Sequence, residues 1–198
     1  MSEKNDMTIE YYNSHAEEYV EDTLEADMSA TRERFLAFVP DGGSILDFGC
    51  GSGRDAKAFL DAGYQVVALD GSKELCERAH RLTGLPVICC SFQDYWAMTQ
   101  YDGIWACASL LHLTEDELSP VMEQLVKSLK PGGALYMSFK YGDYSGERNG
   151  RWFTDMTEEK LLSLLVCFHQ LRLLEQWQTI DVRQDREEVW INANCIRL

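Results

Sequence analysis

The sequence predicts an α/β protein built on a mostly parallel sheet, and three observations support this prediction. Apolar strand-like runs alternate with helical stretches between residues 44 and 139. A glycine-rich turn joins the first strand-like run directly to a helix. After residue 150 one helix is followed by two strand-like runs with no helix between them. Alternation indicates parallel strands with right-handed crossovers, and the two late strands indicate antiparallel pairing at a sheet edge.

The first forty residues are expected to form a helical cap on this sheet. Residues 8–39 are polar-faced and helical in pattern, and Pro40, Gly42 and Gly43 end the cap before the first strand. With 198 residues and no visible linker, residues 1–198 are interpreted as a single domain. It divides into a cap over residues 1–40 and an α/β core over residues 41–198.

The remaining elements follow from apolar runs and turn residues. Pro120 is expected to split one helix, and a turn at 130–133 to lead into the fifth strand. The predicted strands are 44–48, 65–69, 86–90, 102–108, 134–139, 173–179 and 189–197, and the predicted helices are 55–62, 73–82, 115–129 and 158–167.

Composition limits the class of function. The seven cysteines are odd in number and lie in apolar segments, which favours reduced thiols in a cytoplasmic protein over a disulfide framework. No apolar run is long enough for a membrane span, and no cysteine or histidine spacing indicates a metal site. The formal charge of −15 makes a nucleic-acid partner unlikely, because such a partner requires a basic surface.

The glycine turn bears most directly on the ligand. Gly49, Gly51 and Gly53 are spaced G-x-G-x-G, and the third glycine of the dinucleotide pattern G-x-G-x-x-G is replaced by Arg54. This spacing favours a compact adenosyl group over a pyrophosphate. Asp70 ends the second strand, where its carboxylate can accept hydrogen bonds from both ribose hydroxyls. Asp47 can accept from the ammonium of an amino-acid tail.

These motifs resemble those of the class I S-adenosylmethionine-dependent methyltransferases over essentially the whole chain. The matching segments are Leu46 to Gly53, Leu69 to Ser72, Tyr101 to Trp105 and Leu129 to Gly133. The resemblance implies a Rossmann-like, seven-stranded sheet whose last strand is antiparallel. It also implies S-adenosyl-L-methionine as the cofactor.

By the same resemblance, a set of residues is expected to bind the cofactor. The glycines would line its methionine part, Asp70 its ribose, and the segment after the third strand its adenine. For Asp94 a helix N-cap is an equal alternative. The expected cofactor residues are Tyr11, Tyr12, Asp47, Gly49, Cys50, Gly51, Arg54, Asp70, Gly71, Ser72, Phe92, Gln93, Asp94 and Ala108.

Within the superfamily the chain resembles small bacterial enzymes of the tellurite-resistance type. The cues are Gly53 to Asp55, Phe59 to Val66, Trp105 to His112, and the segments 139–142 and 147–153. This resemblance does not name an acceptor. It predicts methyl transfer to a small molecule, with an anionic acceptor as one option. The alternatives are a tRNA or protein methyltransferase and a non-catalytic cofactor-binding module. Neither the acceptor nor the oligomeric state follows from the sequence.

The sequence gives fewer indications of the residues that would bind the methyl acceptor. His112, after the fourth strand, could act as a general base or could be a hydrogen-bonded structural histidine. Tyr141 is a second catalytic candidate. Arginines after the fifth strand suggest an anionic acceptor, or else a lid held by ion pairs. Arg183 and Arg186 could add to this cationic rim or solvate the loop between the last strands, and the second interpretation is favoured. Trp152 alone among the tryptophans is expected to be exposed enough to wall a substrate pocket. The predicted substrate residues are Lys140, Arg148, Arg151 and Trp152.

Overall fold

The computed structural model describes residues 3–96, 99–183 and 186–198, and its centre is a seven-stranded sheet. A separate two-stranded hairpin follows the fifth strand. The strands are β1 (Ser44–Phe48), β2 (Gln65–Asp70), β3 (Val87–Cys89), β4 (Tyr101–Ala106), β5 (Leu129–Lys140), β6 (Ser145–Arg148), β7 (Arg151–Thr154), β8 (Leu171–Ile180) and β9 (Val189–Arg197). The helices are α1 (Glu3–Ser14), α2 (Ala16–Thr23), α3 (Ser29–Leu36), α4 (Arg54–Asp61), α5 (Lys73–Thr83), α6 (Glu115–Ser128) and α7 (Glu158–Val166).

The sheet order is β3-β2-β1-β4-β5-β9-β8. The first five strands of this order pair in parallel, and β9 pairs antiparallel with both β5 and β8. The predicted fold class is therefore confirmed, including the antiparallel last strand. From β1 the chain adds β2 and β3 on one side and then β4 and β5 on the other, so the strand order reverses between β1 and β4. Ligands of open α/β sheets bind at such a reversal, beyond the carboxyl ends of the strands.

Apolar layers cover both faces of the sheet. Along β4 the side chains alternate: Trp105 packs with the layer under α3 and α4, while Ile104 and Ala106 pack with the layer under α6 and α7. A parallel sheet buried on both faces needs apolar residues at nearly every position. This explains why the central strands read as continuous apolar runs.

Two predicted boundaries are wrong. Helix α6 runs through Pro120 without a break. The helix starts with a capping box between Thr114 and Glu117, and its apolar face buries Leu118 and Met122, which offsets the one backbone hydrogen bond that proline removes. The expected turn at 130–133 is instead part of β5, which begins at Leu129 and pairs irregularly with β4.

The segment after β5, for which a lid loop was one alternative, is a hairpin. Residues 145–154 form the β6–β7 hairpin, in which Arg148 lies opposite Arg151. The turn contains Asn149 and Gly150, both with positive φ. Backbone hydrogen bonds therefore hold this segment rigidly beside the site. Within the three described ranges, the helices are all too short or too polar to cross a membrane.

Candidate active site

The glycine turn after β1 forms a narrow cradle. Gly49 and Gly51 have φ of +84° and +54°, values that glycine adopts without strain. The amides of Gly49 and Cys50 both donate to the Leu69 carbonyl, at 2.8 and 2.9 Å, which ties the turn to β2. A Cβ atom on Gly49 would lie 2.4 Å from Cβ of Ser109. The sequence therefore needs glycine here to keep the turn open.

Asp70 lies buried at the end of β2 and faces this cradle. Its Oδ2 accepts from the Gly51 amide at 2.9 Å and its Oδ1 from the Ser72 amide at 2.8 Å. Burial raises the pKa of the carboxyl group, and these backbone hydrogen bonds oppose the rise. Each oxygen keeps further lone-pair capacity. The carboxylate can therefore still accept from a diol.

Asp47 is a buried carboxylate beneath the cradle. Its Oδ2 has no hydrogen-bond partner among the described residues. Burial raises the pKa of this group well above its usual range, and the charge of Asp55 adds to the rise. A buried acceptor without a partner is unfavourable unless a ligand supplies the donor. A cationic donor that reached this oxygen would relieve that cost.

A cavity of about 60 Å³ opens beside the cradle, and we call it the cofactor-side cavity. Helix α1 roofs it through Thr8, Ile9 and Tyr12. Asn13 of the same helix accepts from the Ser72 hydroxyl at 2.8 Å, which holds the roof against the Asp70 loop. The lining comprises Thr8, Ile9, Tyr12, Tyr19, Gly49, Gly51, Asp70, Gly71, Ser72, Leu75, Ser91, Phe92, Ala108, Ser109 and His112.

A short 3₁₀ helix at Phe92–Asp94 closes one side of this cavity. Ser91 caps the turn, donating its hydroxyl to Asp94 Oδ2 at 2.7 Å and accepting from the Asp94 amide at 3.2 Å. The Asp94 carboxylate is thus engaged locally and exposed. Both amide atoms of Gln93 are buried without a partner among the described residues. Gln93 therefore has a free donor and a free acceptor, and the Asp94 carboxylate keeps acceptor capacity at its other oxygen.

A second cavity of about 250 Å³ lies next to the cofactor-side cavity and shares one wall of residues with it. We call it the acceptor-side cavity. Its floor is made by Cys107 after β4, Tyr136 and Ser138 on β5, and Asn192 on β9. Its mouth lies between α2 and the end of β8, where Ile180 is 67% exposed. The sequence missed Tyr136, Ser138 and Asn192, because their role depends on which strands become neighbours.

Four residues line both cavities: Tyr12, Tyr19, Ala108 and His112. The Tyr12 hydroxyl lies 2.9 Å from His112 Nε2. His112 Nδ1 lies 2.7 Å from the Trp152 carbonyl oxygen on β7. Both ring nitrogens of His112 are therefore engaged. Removal from solvent lowers the pKa of His112 to about 4, and the charges of Arg151 and Lys140 contribute. The imidazole is neutral at physiological pH.

The cations of the acceptor-side cavity fall into two groups. Lys140 pairs with Glu188, and Arg183 pairs with Asp22 and Asp181. Arg186 and Arg54 are paired as well, with Asp22 and Asp55. The expectation that Arg183 and Arg186 only solvate a loop is wrong, since both line the cavity.

Arg151 forms the second group on its own. Among the described residues it has no carboxylate partner within salt-bridge distance. Its guanidinium instead lies over the ring of Tyr11, at 4.3 Å from the ring centre, and its Nη1 is 3.5 Å from the Tyr12 hydroxyl. Its Nε is buried and unpartnered. Arg151 therefore keeps unused charge and donor capacity at the cavity.

Comparison with known proteins identifies the fold. Residues 45–133 match the family described as a methyltransferase domain. This range contains the glycine cradle, Asp70 and the strand-end residues described above. Over residues 45–133 the chain is similar to this family, and its fold is that of the class I S-adenosylmethionine-dependent methyltransferases. The cofactor of this domain is S-adenosylmethionine.

Relatives of known structure share the whole architecture. The 1,6-didemethyltoxoflavin-N1-methyltransferase of Burkholderia thailandensis is 19% identical, with a TM-score of 0.76 over 96% of this chain and 84% of its own. A TehB-like methyltransferase from Corynebacterium glutamicum is 20% identical, with a TM-score of 0.74 over 93% and 99% of the two chains. A cypemycin N-terminal methyltransferase from a Streptomyces species is 26% identical over 49% of this chain and 42% of its own length. The match thus spans less than half of that relative.

The residues of the methyltransferase domain fit this cofactor. The partnerless oxygen of Asp47 suits an ammonium, and the carboxylate of Asp70 suits a ribose diol. The glycine cradle suits close approach of a ligand to the main chain, since a Cβ on Gly51 would lie 2.9 Å from the Tyr19 hydroxyl. When bound, the cofactor supplies an activated methyl group carried on a sulfonium.

The structure separates the predicted residues into three sets. Eight of the expected cofactor residues line the cofactor-side cavity: Tyr12, Gly49, Gly51, Asp70, Gly71, Ser72, Phe92 and Ala108. Tyr11, Arg54, Lys140 and Arg151 line the acceptor-side cavity. The residues that line neither cavity are Asp47, Cys50, Gln93, Asp94, Tyr141, Arg148 and Trp152.

Two residues of the hairpin region lie away from the cavities for clear reasons. Arg148 forms two hydrogen bonds to the buried Asp155, at 3.0 and 2.5 Å. Trp152 is partly buried, and the ammonium of Lys4 lies 4.0 Å from its ring centre. The exposed tryptophan is Trp96, at 70%, so the expectation that Trp152 alone is exposed is wrong.

Proposed function

We propose that the protein transfers a methyl group from S-adenosylmethionine to a small molecule that carries an anionic group. The acceptor binds in the acceptor-side cavity with its anion on Arg151. Methyl transfer is an in-line displacement, so alignment of the two reactants supplies much of the rate enhancement. Two cavities that share one wall provide such an alignment.

The observation that carries the proposal is the state of Arg151. The other arginines and the lysine of the cavity are already neutralised by carboxylates, whereas Arg151 is not. A guanidinium with free donors binds a carboxylate or another oxyanion through two parallel hydrogen bonds. The charge also lies close to the shared wall, because Arg151 contacts Tyr12.

The relatives support a small acceptor without naming it. The Burkholderia structure contains 1,6-didemethyltoxoflavin together with S-adenosylhomocysteine. The cavity of about 250 Å³ is close to the lower end of the size range of small-molecule pockets, about 300 Å³. The name of the Streptomyces relative points to a second candidate, the N-terminus of a peptide. Ile180 and Val182, both exposed at the mouth of the cavity, could supply apolar contacts to such a peptide.

Turnover with chemically sorted metabolite pools tests the proposal. The protein is incubated with S-adenosylmethionine and separate pools of carboxylic acids, phosphorylated metabolites, amines and short peptides, and S-adenosylhomocysteine formation is measured. We expect turnover with an anionic pool. Arg151→Gln should then raise KM for the active compound about tenfold or more, because a hydrogen bond to a charged group is lost.

The control is Arg172→Gln, which removes an exposed arginine of β8 that lines neither cavity. It should leave KM unchanged, and both variants should bind S-adenosylhomocysteine as the wild type does. Turnover confined to amines or peptides, or an Arg151→Gln enzyme with unchanged KM, contradicts the anionic acceptor. No turnover with any pool, despite cofactor binding, favours the non-catalytic binding module.

A nucleic-acid acceptor is disfavoured by charge. The formal charge is −15, and four of the five cavity cations are neutralised by neighbouring carboxylates. Phosphate binding depends on unpaired cations that release counterions. A gel shift with bulk tRNA at low salt checks this directly, and a shifted band would restore tRNA as an acceptor.

A further inference from the structure

Two cysteines, Cys76 on α5 and Cys89 on β3, flank the residue that ends β2. Cys89 is paired in register with Asp70 in the parallel ladder, where neighbouring strands lie about 4.8 Å apart. The Cys76 thiol donates to the Asp70 carbonyl oxygen at 3.4 Å. Both cysteines therefore lie next to the residue whose carboxylate faces the cofactor-side cavity.

The side chains of these two cysteines point toward each other. Side chains alternate between the two faces of a strand, so Cys89 shares a face with Val87. Val87 packs against the apolar layer that contains Ala79 of α5. Cys76 precedes Ala79 by three residues and lies on the same side of the helix. The thiols consequently meet between α5 and β3, and a side-chain hydrogen bond joins them.

The two thiols differ in their access to solvent. Cys76 is buried, at 6% exposure, whereas Cys89 is exposed on β3, the edge strand of the seven-stranded sheet. Burial raises the pKa of the Cys76 thiol. Because the thiolate is the reactive form of cysteine, Cys89 is the group that reacts first with an oxidant from solvent. An accessible cysteine beside a second, protected one is the arrangement from which a disulfide forms.

We propose that Cys76 and Cys89 form a reversible disulfide when the protein reacts with a hydroperoxide, and that this bond weakens cofactor binding. With hydrogen peroxide, the Cys89 sulfur attacks the oxygen–oxygen bond, becomes a sulfenic acid and releases one water. The Cys76 sulfur then displaces the sulfenic oxygen, which leaves as a second water with the Cys76 proton. The two thiols are oxidised by two electrons in total, and the peroxide is reduced by two. The inference goes beyond the proposed acceptor and does not depend on it.

The disulfide acts on Asp70 through two changes. Its sulfur atoms lie about 2.05 Å apart, so α5 and β3 are drawn together at this point. The Cys76 thiol also loses its proton, and with it the hydrogen bond to the Asp70 carbonyl. Helix α5 begins after Ser72, whose amide donates to Asp70 Oδ1 at 2.8 Å. A shift of α5 therefore misplaces the carboxylate that faces the ribose.

Peptide mapping and calorimetry test the proposal on the full chain. Protein treated with equimolar hydrogen peroxide is digested without reductant, and we expect a pair of peptides joined through Cys76 and Cys89. The oxidised protein should bind S-adenosylhomocysteine about tenfold more weakly than the reduced protein, because hydrogen bonds to a charged group are misaligned. Dithiothreitol should restore the affinity. Absence of the joined peptides, or equal affinities of the two forms, overturns the proposal.

Three variants assign the roles of the two sulfur atoms. Cys89→Ser should form no cross-link, and peroxide should leave its cofactor affinity unchanged. Cys76→Ala should leave the sulfenic acid of Cys89 without a partner, so dimedone should label Cys89 in this variant and not in the wild type. Cys167→Ser is the matched control, since Cys167 is also exposed but lies at the end of α7, and it should behave as the wild type does.

Two results with these variants overturn the proposal. One is a loss of cofactor affinity on oxidation of Cys89→Ser, which would place the effect at another thiol. The other is equal labelling of Cys89 by dimedone in Cys76→Ala and in the wild type, which would show that Cys76 does not react with the sulfenic acid. Thermal unfolding confirms that Cys76→Ala, which alters a buried residue, is folded.

Equilibrium linkage gives an independent measurement. If the disulfide weakens cofactor binding about tenfold, saturating S-adenosylhomocysteine must favour the reduced pair by the same factor. In a titration against dithiothreitol buffers, the midpoint potential of the pair should then rise by about 30 mV. A midpoint that does not move overturns the coupling between the disulfide and the cofactor site.

Discussion

The two cavities share a wall but are built in different ways. The cofactor-side cavity is lined largely by short segments at the carboxyl ends of β1, β2 and β3, at 49–51, 70–72 and 91–92, under a roof supplied by α1. The acceptor-side cavity uses side chains from α1, α2, β5, β7, β8 and β9. Cofactor recognition is thus a property of local chain segments, whereas acceptor recognition exists only once distant elements have packed together. The following experiments test that contrast.

The strongest test is Gly49→Ala on the cofactor side. A Cβ here would meet Ser109 at 2.4 Å and Phe92 at 3.0 Å, and φ is +84°. Strain and overpacking together should lower the affinity for S-adenosylhomocysteine about 100-fold, as measured by calorimetry. Gly63→Ala is the control, since its φ is +88° but a Cβ would meet nothing within 4 Å. Equal losses in both variants would mean that backbone strain alone matters.

Because His112 in the shared wall is held neutral, the free energy of unfolding should depend on pH. The folded protein lowers the pKa of His112 from 6.5 to about 4, so the unfolded chain takes up the proton first as pH falls. The contribution of neutral His112 to the free energy of unfolding is complete above pH 6.5, and it is lost progressively as pH falls from 6.5 to about 4. It amounts to at most about 3 kcal/mol.

Urea denaturation of the wild type and His112→Gln at several pH values measures this contribution. The difference between their free energies of unfolding should shrink as pH falls through that window, because only the wild type contains His112. Other titrating groups contribute equally to both proteins and cancel in the difference. The charges facing His112 from β5 and β7, those of Lys140 and Arg151, remain in both proteins. A difference that stays constant from pH 7.5 to 4 would show that His112 is not held neutral.

A smaller effect is expected from Asp70→Asn. The substitution keeps the shape but removes the charge and places an amide donor against the Gly51 or Ser72 amide. Loss of the ribose contacts should cost about 1–3 kcal/mol of binding free energy for S-adenosylhomocysteine. The control is Asp61→Asn, whose carboxylate is exposed on α4. Unchanged affinity would remove Asp70 from the cofactor site.

The smallest effect is expected at the mouth of the acceptor-side cavity. Asp22→Asn removes the ion pairs with Arg183 at 2.7 Å and Arg186 at 3.4 Å. Because Asp22 is 40% exposed, the free energy of unfolding should fall by less than about 1 kcal/mol, and less still in high salt. The affinity for S-adenosylhomocysteine should not change. A loss of cofactor affinity would show that the two cavities are not independent.

The sequence predicts the fold, and the glycine turn beside the end of β2, for a physical reason. Gly49, Gly51 and Asp70 are each defined by their place in a strand–turn–helix unit, and the strand order follows from alternation. These features depend on neighbours in the chain. Pro120 shows the limit even here, because a strong cap and a buried apolar face outweigh the one hydrogen bond that proline removes.

The acceptor side could not be predicted to the same degree. Arg148 and Arg151 are three residues apart and look equivalent in the sequence. In the hairpin they face each other across the strands, yet only Arg148 reaches the carboxylate of Asp155. The sequence likewise leaves the state of His112 open, since its partners lie on α1 and β7. Tertiary packing, not local pattern, decides which of these groups stays available.

Helix α1 has a consequence for the timing of turnover. It is fastened at one end by Asn13 to Ser72 and at the other by Thr8, which accepts from the Trp152 amide at 3.0 Å. The space beneath it, about 60 Å³, is far smaller than the roughly 300 Å³ of a typical ligand pocket. A cofactor larger than this space requires helix α1 to shift when it binds and when it leaves. Weakening the hydrogen bonds of Asn13 or Thr8 should make that shift easier.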